Sequence, residues 1–312
     1  MINLFHINDY DIRTTMFSNL LHDKIVREFE ENFAKYVGAK YACAANSASS
    51  LIRLALKKGA NIASIPSILP FVVPNALINA RVPYKFVDDV EWVGGSYVIC
   101  KYFKRKIIDS AQKVERDQFK NEANSEDWMI FSFYPTKPVG GCDGGMIVSD
   151  DKESIDWFRT AVLNGTNPSD NSWEREVIFP GHKAHINSIQ AYIANENLKK
   201  LDEKNERLSE IRELYNEAFG YHNTSNHLYR IRVEDNTRFV QDMKKSDICC
   251  GIHYKPLHLN KIYYNGHYSL NDYGADFSMS ESEGTSTVSL PFHEWLSIKD
   301  VEYVIQKVGE LR

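Results

Sequence analysis

The strongest constraint on the fold is a series of short segments that are apolar throughout, separated by helical patterns and turn residues. A strand with apolar side chains on both faces belongs in a sheet that is covered on both sides. Strands that alternate with helices predict an α/β domain. The predicted strands lie at residues 41–45, 61–65, 84–87, 97–100, 106–109, 129–133 and 146–149.

Helical patterns precede and follow this series of strands. Residues 23–38 place apolar side chains four positions apart, the spacing of one helix face, with Asp23 as the N-cap and Gly38 as the C-terminal stop. A long helical pattern over residues 190–219 predicts a connection between a large domain and a smaller one. The last helix begins after Ser297 in a capping-box-like sequence.

Composition excludes several classes of protein. Lys and Arg number 37 and Asp and Glu 42, a net charge of −5, and no run of basic residues predicts nucleic-acid binding. The most apolar segment, residues 65–78, contains three prolines and is too short to span a bilayer. The N-terminus has no basic, apolar leader, and five scattered cysteines fit neither a disulfide framework nor a zinc ribbon. We therefore expect a cytoplasmic, reduced protein with no nucleic-acid or membrane partner.

Lys137 is the candidate catalytic residue. It follows the apolar run 129–133 and precedes a loop with glycines at 140, 141, 144 and 145. Burial lowers the pKa of a lysine and makes its neutral, nucleophilic amine available. A lysine between a buried strand and a tight glycine loop is therefore better placed for chemistry than for solvation.

Asp109 and Gln112 complete the pattern around Lys137. Asp109 ends the apolar segment 106–108, and Gln112 follows it by three residues. An acid that pairs with a pyridinium nitrogen and a lysine that forms a Schiff base are the minimum protein apparatus of a pyridoxal 5′-phosphate (PLP) enzyme. The predicted cofactor is PLP.

The same residue types also occur in ordinary structural roles. Asp109 alone is typical of a strand-end turn, and only Gln112 and Lys137 raise it to a candidate. Ser47 to Ser50 could be a simple helix cap, which is compatible with phosphate binding. His182 and His185 are three residues apart, but no acidic or cysteine partner follows at ligand spacing, so no metal site is predicted.

Ordered segments over nearly the whole chain resemble the DegT/DnrJ/EryC1/StrS family of sugar aminotransferases. The segments are FEENFAKYVGAKYA (29–42), NSASSLIRLAL (46–56), IPSILPFVVPNAL (65–77), IIDSAQ (107–112), FSFYPTKPVGGCDGGMIVSDD (131–151), INSIQA (186–191), GIHYKPLH (251–258) and VSLPFH (288–293).

The resemblance implies a fold-type I PLP transferase, similar to aspartate aminotransferase. Its expected large domain covers residues 1–205 and holds a mostly parallel mixed sheet flanked by helices. A smaller C-terminal α+β domain is expected over residues 206–312. The stretch between about 88 and 106 is shorter than is usual in the family, so part of the large domain is expected to be trimmed.

The resemblance also implies the cofactor residues. Lys137 corresponds to the Schiff-base lysine of S-F-x-x-x-K, Asp109 to the acid at the pyridine nitrogen, and Gln112 to the glutamine that faces the cofactor hydroxyl. The phosphate cup corresponds to Ala48 and Ser49 in the turn 47–51, together with Ser132. A helix N-terminus favours an anion at such a turn.

Further residues are expected to contact the cofactor or the substrate. Phe71 lies one residue after the position where the family carries a ring over the cofactor, which is Pro70 here. Lys183 replaces the asparagine that the neighbouring subunit contributes to the phosphate, so a homodimer is expected. The expected substrate contacts are Tyr134, His253 and His258.

The function implied is amino transfer to a keto sugar attached to a nucleotide diphosphate, in amino-sugar and polysaccharide biosynthesis, with glutamate as the amino donor. A PLP-dependent sugar dehydratase of the same family is one alternative. That branch replaces the lysine with histidine, so Lys137 disfavours it. A PLP-fold protein that has lost catalysis and serves in regulation is the other alternative, motivated by the trimmed large domain and the altered residues 181–185. The sugar, its nucleotide and the aminated carbon stay open.

Overall fold

A computed structural model describes residues 1–169, 171–271 and 274–312 of the chain. The strands are β1 (Tyr41–Ala45), β2 (Ala63–Pro66), β3 (Tyr84–Val87), β4 (Tyr97–Tyr102), β5 (Arg105–Asp109), β6 (Trp128–Ser132), β7 (Gly145–Ser149), β8 (Tyr229–Arg232) and β9 (Thr287–Leu290). The helices are α1 (Ile25–Val37), α2 (Ala48–Gly59), α3 (Val72–Ala80), α4 (Gln118–Glu122), α5 (Lys152–Val162), α6 (Ser188–Lys199), α7 (Leu201–Phe219), α8 (Asn236–Lys245), α9 (Lys261–Tyr264), α10 (Ser278–Ser286) and α11 (Ile298–Leu311).

The seven strands predicted for the large domain are all present, with ends that differ by at most two residues. Five of them form one sheet in the order β1-β7-β6-β5-β4, and β2 and β3 form a parallel pair. Helices α1 and α5 pack against β1, and α2 packs against β6 and β7. The expectation of an α/β fold with a mixed sheet flanked by helices is confirmed.

The expectation of mostly parallel pairing is wrong for the five-stranded sheet. Strands β5 and β6 pair in parallel, whereas β1 with β7, β6 with β7 and β4 with β5 pair antiparallel. Only Phe103 and Lys104 connect β4 to β5. A parallel pair needs a crossover of roughly a dozen residues or more, so a two-residue connection enforces a hairpin. The stretch that was expected to be trimmed therefore includes the first strand and the turn of an antiparallel β4–β5 hairpin.

Buried apolar side chains form three clusters. Two lie on either side of the N-terminal strands, and the third contains α7, β8, β9 and α11. Leu201 belongs to an N-terminal cluster and Leu208 to the third one, so the proposed domain boundary at residues 205 and 206 falls inside α7. Ile2 packs on the third cluster and forms an isolated parallel β-bridge with Ile248. These contacts hold the first residues of the sequence against its C-terminal part.

The predicted helices differ in detail from the observed ones. The pattern over residues 190–219 is interrupted at Lys200, where α6 ends and α7 begins. Helix α1 has Lys24 at its N-cap position, one residue after Asp23, although the Asp23 carboxylate still accepts from Ile25 N at 3.1 Å. Gly38 ends α1 at a φ of 79°, and Ser297 and Asp300 form the expected capping box of α11. Among the described residues, none of the helices has the length and apolarity needed to cross a bilayer.

Candidate active site

Lys137 lies in a tight turn after β6. Its backbone N–H donates to Tyr134 O at 2.8 Å, and Gly141 N donates to Phe133 O at 2.9 Å. A Cβ on Gly140 would lie 2.4 Å from Pro135 O, so the turn closes only around glycine. The Lys137 side chain is partly buried, and burial lowers its pKa to about 8 against the opposing effect of the Asp109 charge. A useful fraction of neutral amine is therefore present near neutral pH.

Asp109 is the last residue of β5, on the strand next to the one that carries Lys137. Its side chain is 6% exposed, and burial raises its pKa. Three groups oppose that rise: Ala111 N, which donates to Oδ1 at 2.9 Å, the Tyr97 hydroxyl, which donates to Oδ2 at 2.9 Å, and the charge of Lys137. Since β5 and β6 are parallel, both functional side chains lie at the carboxyl edge of the sheet.

Gln112 is buried beside Asp109 and is held by two hydrogen bonds. Its Oε1 accepts from Gly94 N at 2.7 Å, and its Nε2 donates to the Tyr254 hydroxyl at 2.7 Å. The Tyr254 ring stacks on Trp92 with centroids 6.2 Å apart. Gln112 therefore joins the sheet edge to a residue from the C-terminal half of the chain.

The turn predicted to bind phosphate is the N-terminus of α2. Ser47 is its N-cap and accepts from Ser50 N at 3.2 Å. Ala48 is buried, whereas Ser49 is only partly buried. A Cβ on Gly145 would lie 2.5 Å from Ala48 N, so glycine lets β7 pass directly under this helix end. The free N–H groups and the dipole of α2 form a cradle suited to an anion.

Ser132 and Tyr134 flank the start of the lysine loop. Ser132 Oγ accepts from Tyr134 N at 3.3 Å, and its side chain is partly buried. Tyr134 is 55% exposed. The loop therefore holds Ser132 at the end of β6 while the Tyr134 ring reaches solvent.

His253 is brought close to the lysine, and an unpredicted histidine accompanies it. Burial lowers the pKa of His253 to about 4, with further contributions from Lys137 and Arg230. Its Nδ1 lies 2.8 Å from Ser289 Oγ. His227 is buried, and its ring stacks on Phe5 with centroids 5.5 Å apart. Burial and the Lys137 charge hold its pKa well below the usual value. Both imidazoles are neutral at physiological pH.

His258 is engaged in structural contacts. Its Nδ1 lies 2.6 Å from Ser67 Oγ, and its Nε2 lies 3.1 Å from Glu281 Oε1. Its ring stacks on Phe277 at 4.1 Å. Because both ring nitrogens have partners, the structure gives this histidine a packing role and shows no free polar group for a substrate.

Phe71 and Lys183 are both exposed in the single chain. Phe71 lies at the N-cap position of α3 with 61% of its surface exposed. The backbone of Lys183 forms an isolated antiparallel β-bridge with Leu163, and its side chain is exposed to solvent. His185, two residues on, contacts the ring of His22 at 4.8 Å. No three His, Cys, Asp or Glu side chains converge as metal ligands in the described parts of the chain.

A cleft of about 980 Å³ opens at Lys137. It is lined by the lysine loop, by residues 6–11 of the N-terminal segment and by the α6–α7 junction. Lys200, Lys204 and Arg207 supply basic groups along one wall, and acidic groups such as Glu196 and Glu203 lie among them. This volume matches that of cavities that hold small organic ligands.

The model of the DegT/DnrJ/EryC1/StrS aminotransferase family matches residues 11–66 and 107–309. The chain belongs to this family. Residues 67–106, between the two matched segments, contain α3, β3, β4 and the first two residues of β5. Family members depend on PLP, and the chain is a PLP-dependent aminotransferase.

Similar proteins agree with this assignment over most of their length. The spore coat polysaccharide biosynthesis protein SpsC of Bacillus subtilis is 27% identical, covering 92% of this chain and 89% of SpsC. The UDP-4-amino-4,6-dideoxy-N-acetyl-beta-L-altrosamine transaminase of Campylobacter jejuni is 25% identical, covering 90% and 88%. The solved aminotransferase TlmJ of Streptoalloteichus hindustanus has a TM-score of 0.82 at 20% identity, covering 99% and 98%.

The residues present fit PLP. The glycine-lined cradle at α2 suits its phosphate, Asp109 is a buried carboxylate suited to a ring cation, and Lys137 has a depressed pKa. Four residues of the site were not predicted from the sequence. Tyr97 contacts Asp109, Tyr254 contacts Gln112, and Trp92 packs against both tyrosines. The fourth, His227, interacts electrostatically with Lys137. Aromatic residues are abundant in the chain, so abundance alone gave no signal for any of them.

Proposed function

We propose that this aminotransferase converts a keto sugar attached to a nucleotide diphosphate into an amino sugar, with glutamate as the amino donor. The observation that carries the proposal is the position of Lys137 and Asp109 after two adjacent parallel strands, with Lys137 opening on a cleft that both basic and acidic side chains line. A diphosphate is an anion, and Lys200 offers it a cationic partner. Lys204 and Arg207 lie on the same wall but pair with Glu294 and Glu210, so a diphosphate would compete with these carboxylates. The printed name of the Campylobacter relative, a transaminase of a UDP-linked amino sugar, supports the same substrate class.

The chain's own residues have distinct proposed roles. Lys137 would hold the cofactor through its amine, and its Nζ would move a proton as general base and acid at the substrate carbon that bears the amino group. Asp109 would accept a hydrogen bond from the ring nitrogen, and Gln112 would lie beside the ring hydroxyl. When bound, PLP supplies an electron-withdrawing ring conjugated to the amino group in transfer.

The phosphate group is proposed to lie at the N-terminus of α2, with Ala48, Ser49 and Ser132 around it. Phe71 is retained as the candidate for the ring over the cofactor. Tyr134 and His253 are the proposed substrate contacts. Tyr134 is exposed on the loop that carries Lys137, and His253 interacts electrostatically with Lys137. His258 is the weakest candidate because its ring nitrogens already have partners.

The test is amino transfer measured in two halves. The enzyme is incubated with glutamate, and 2-oxoglutarate is quantified; a panel of nucleotide-linked keto sugars is then added, and amino sugars are detected by mass spectrometry. We expect one equivalent of 2-oxoglutarate per active site in the first half and a matching amount of amino sugar in the second. Release of no 2-oxoglutarate, or amination of free sugars in preference to nucleotide-linked ones, would contradict the proposal.

Lys183 supports a proposed homodimer in which each subunit completes the other's site. A lysine gives a phosphate a charge-assisted contact, which is stronger than a contact with a neutral amide. We expect Lys183→Ala to weaken PLP retention roughly tenfold in equilibrium dialysis, because a bond to a charged group is lost. Lys299→Ala, which removes an exposed lysine of α11, is the control and is expected to retain PLP as the wild type does.

Subunit mixing tests whether the two sites are shared. At a PLP concentration too low to load the Lys183→Ala protein, both parent variants are inactive. A heterodimer of a Lys137→Ala subunit and a Lys183→Ala subunit should then have one intact site, and activity should recover in part. Absence of recovery when subunit exchange is verified, or an active monomer in sedimentation, would refute this arrangement.

A further inference from the structure

We propose that Tyr97 is a positioning residue that holds the Asp109 carboxylate ionised and oriented toward the ring nitrogen of the cofactor. Tyr97 lies in residues 67–106, which the family model leaves unmatched, whereas Asp109 lies in a matched segment. The inference rests on the proposed pairing of Asp109 with that nitrogen. It assigns a specific contribution to the site to a part of the chain that the family model does not match.

A β-bulge places Tyr97 beside Asp109. Next to the hairpin turn, the pairing of β4 with β5 is regular and sets Cys100 opposite Ile107. If that register continued without interruption, Val98 would lie opposite Asp109. The register instead shifts between Val98 and Cys100, so that Tyr97 lies opposite Asp109. Residues directly opposite each other share a face of the sheet, and an extra residue moves the whole following segment by one position. The bulge thus replaces an apolar neighbour by a hydroxyl donor.

The Tyr97 side chain is fixed by its surroundings. It is 7% exposed, and its ring contacts Trp92 with centroids 4.6 Å apart. Trp92 in turn donates from Nε1 to Ile68 O at 3.1 Å and stacks on Tyr254. A donor held by packing loses little conformational freedom when it forms its hydrogen bond, so the bond to Asp109 is preorganised.

The Asp109 carboxylate still has free acceptor positions for the ring nitrogen of the cofactor. An ionised carboxylate has about four acceptor positions on its two oxygens. The Tyr97 hydroxyl occupies one position on Oδ2, and Ala111 N occupies one on Oδ1. The remaining lone pairs can accept a ring N–H.

Two opposing effects act on the charge of Asp109. Burial raises its pKa and favours the neutral acid, whereas a hydrogen bond donated to the anion favours the charged form. Without the Tyr97 hydroxyl, a buried Asp109 would share the proton of the ring nitrogen and weaken the positive charge on the ring. The hydroxyl therefore keeps that proton on the nitrogen.

The test is nitrogen NMR of the holoenzyme loaded with PLP labelled at the ring nitrogen. In Tyr97→Phe, which keeps the ring and removes only the hydroxyl, we expect the resonance to shift toward that of unprotonated pyridine. We also expect the glutamate half-reaction to slow by about tenfold or more, the value of one hydrogen bond to a charged group. Tyr84→Phe is the control, since it removes another buried hydroxyl that donates to a single oxygen, Tyr263 O; its resonance should match the wild type.

A second variant, with a weaker hydrogen-bond donor at position 97, provides the test if Tyr97→Phe does not fold. para-Aminophenylalanine at position 97 is a weaker donor of nearly the same shape, and its resonance should lie between those of the wild type and of unprotonated pyridine. A wild-type resonance in either variant, or an unprotonated nitrogen in the wild type, would overturn the inference. Failure of glutamate to react, with the Tyr97 effect on the nitrogen intact, would contradict the proposed function and leave the inference standing.

Discussion

Replacement of Lys137 by alanine is expected to abolish the visible absorbance band of the bound cofactor and to lower amino transfer by more than roughly 10²-fold, since the general base is removed. The amine with the depressed pKa would be gone, and no backbone bond of the turn depends on its side chain. The fold should remain intact, as judged by circular dichroism and thermal unfolding. Spectra and initial rates of the purified variant provide the measurement.

Lys200→Ala is the matched control for this variant. Lys200 lines the same cleft and is exposed at the end of α6. The Lys200→Ala protein should keep the visible band, because an exposed lysine of the wall holds no cofactor. Turnover at a near wild-type rate by Lys137→Ala would show that another residue is catalytic.

Asp109→Asn is expected to leave PLP bound and to slow the glutamate half-reaction by roughly 10²-fold or more, the scale of losing a preorganised electrostatic contact. A neutral amide no longer stabilises a protonated ring nitrogen. The cradle at α2 and the amine of Lys137 are untouched, so retention of the cofactor should change far less than the rate. Stopped-flow absorbance during a single turnover with glutamate measures the effect.

Asp127→Asn separates loss of chemistry from loss of stability. Asp127 is also buried, but it lies before β6, at the opposite edge of the sheet from Asp109. It accepts from Lys106 N at 2.6 Å, so its variant should be less stable yet keep a near wild-type half-reaction. If Asp109→Asn reacts as fast as Asp127→Asn, the role assigned to Asp109 is wrong.

The seven N-terminal strands and their order along the chain could be predicted because their signal is local. Segments such as 129–133 are apolar on both faces, and this pattern is typical of a buried strand wherever it pairs. Lys137, Asp109 and Gln112 were found because they follow such strands and match motifs of fixed spacing. The structure places Lys137 and Asp109 at one edge of the sheet and Gln112 beside them.

Pairing direction and distant contacts could not be predicted in the same way. The antiparallel β4–β5 pair follows from a connection of only two residues, whose exact length is known only once both strand ends are known. The contact of Tyr97 with Asp109 depends on a single bulge, and a shift of one residue changes which side chain faces the acid. Tyr254 reaches Gln112 from 142 positions along the chain, a separation that no local pattern encodes.

The most direct test of the account is to locate the residue that holds the cofactor. The holoenzyme is reduced with borohydride, digested, and its peptides are analysed by mass spectrometry for the added pyridoxyl phosphate. We predict that the modification lies on Lys137 and is absent from Lys183 and Lys200. Modification of a different lysine, or a holoenzyme that carries no reducible cofactor, would contradict the account.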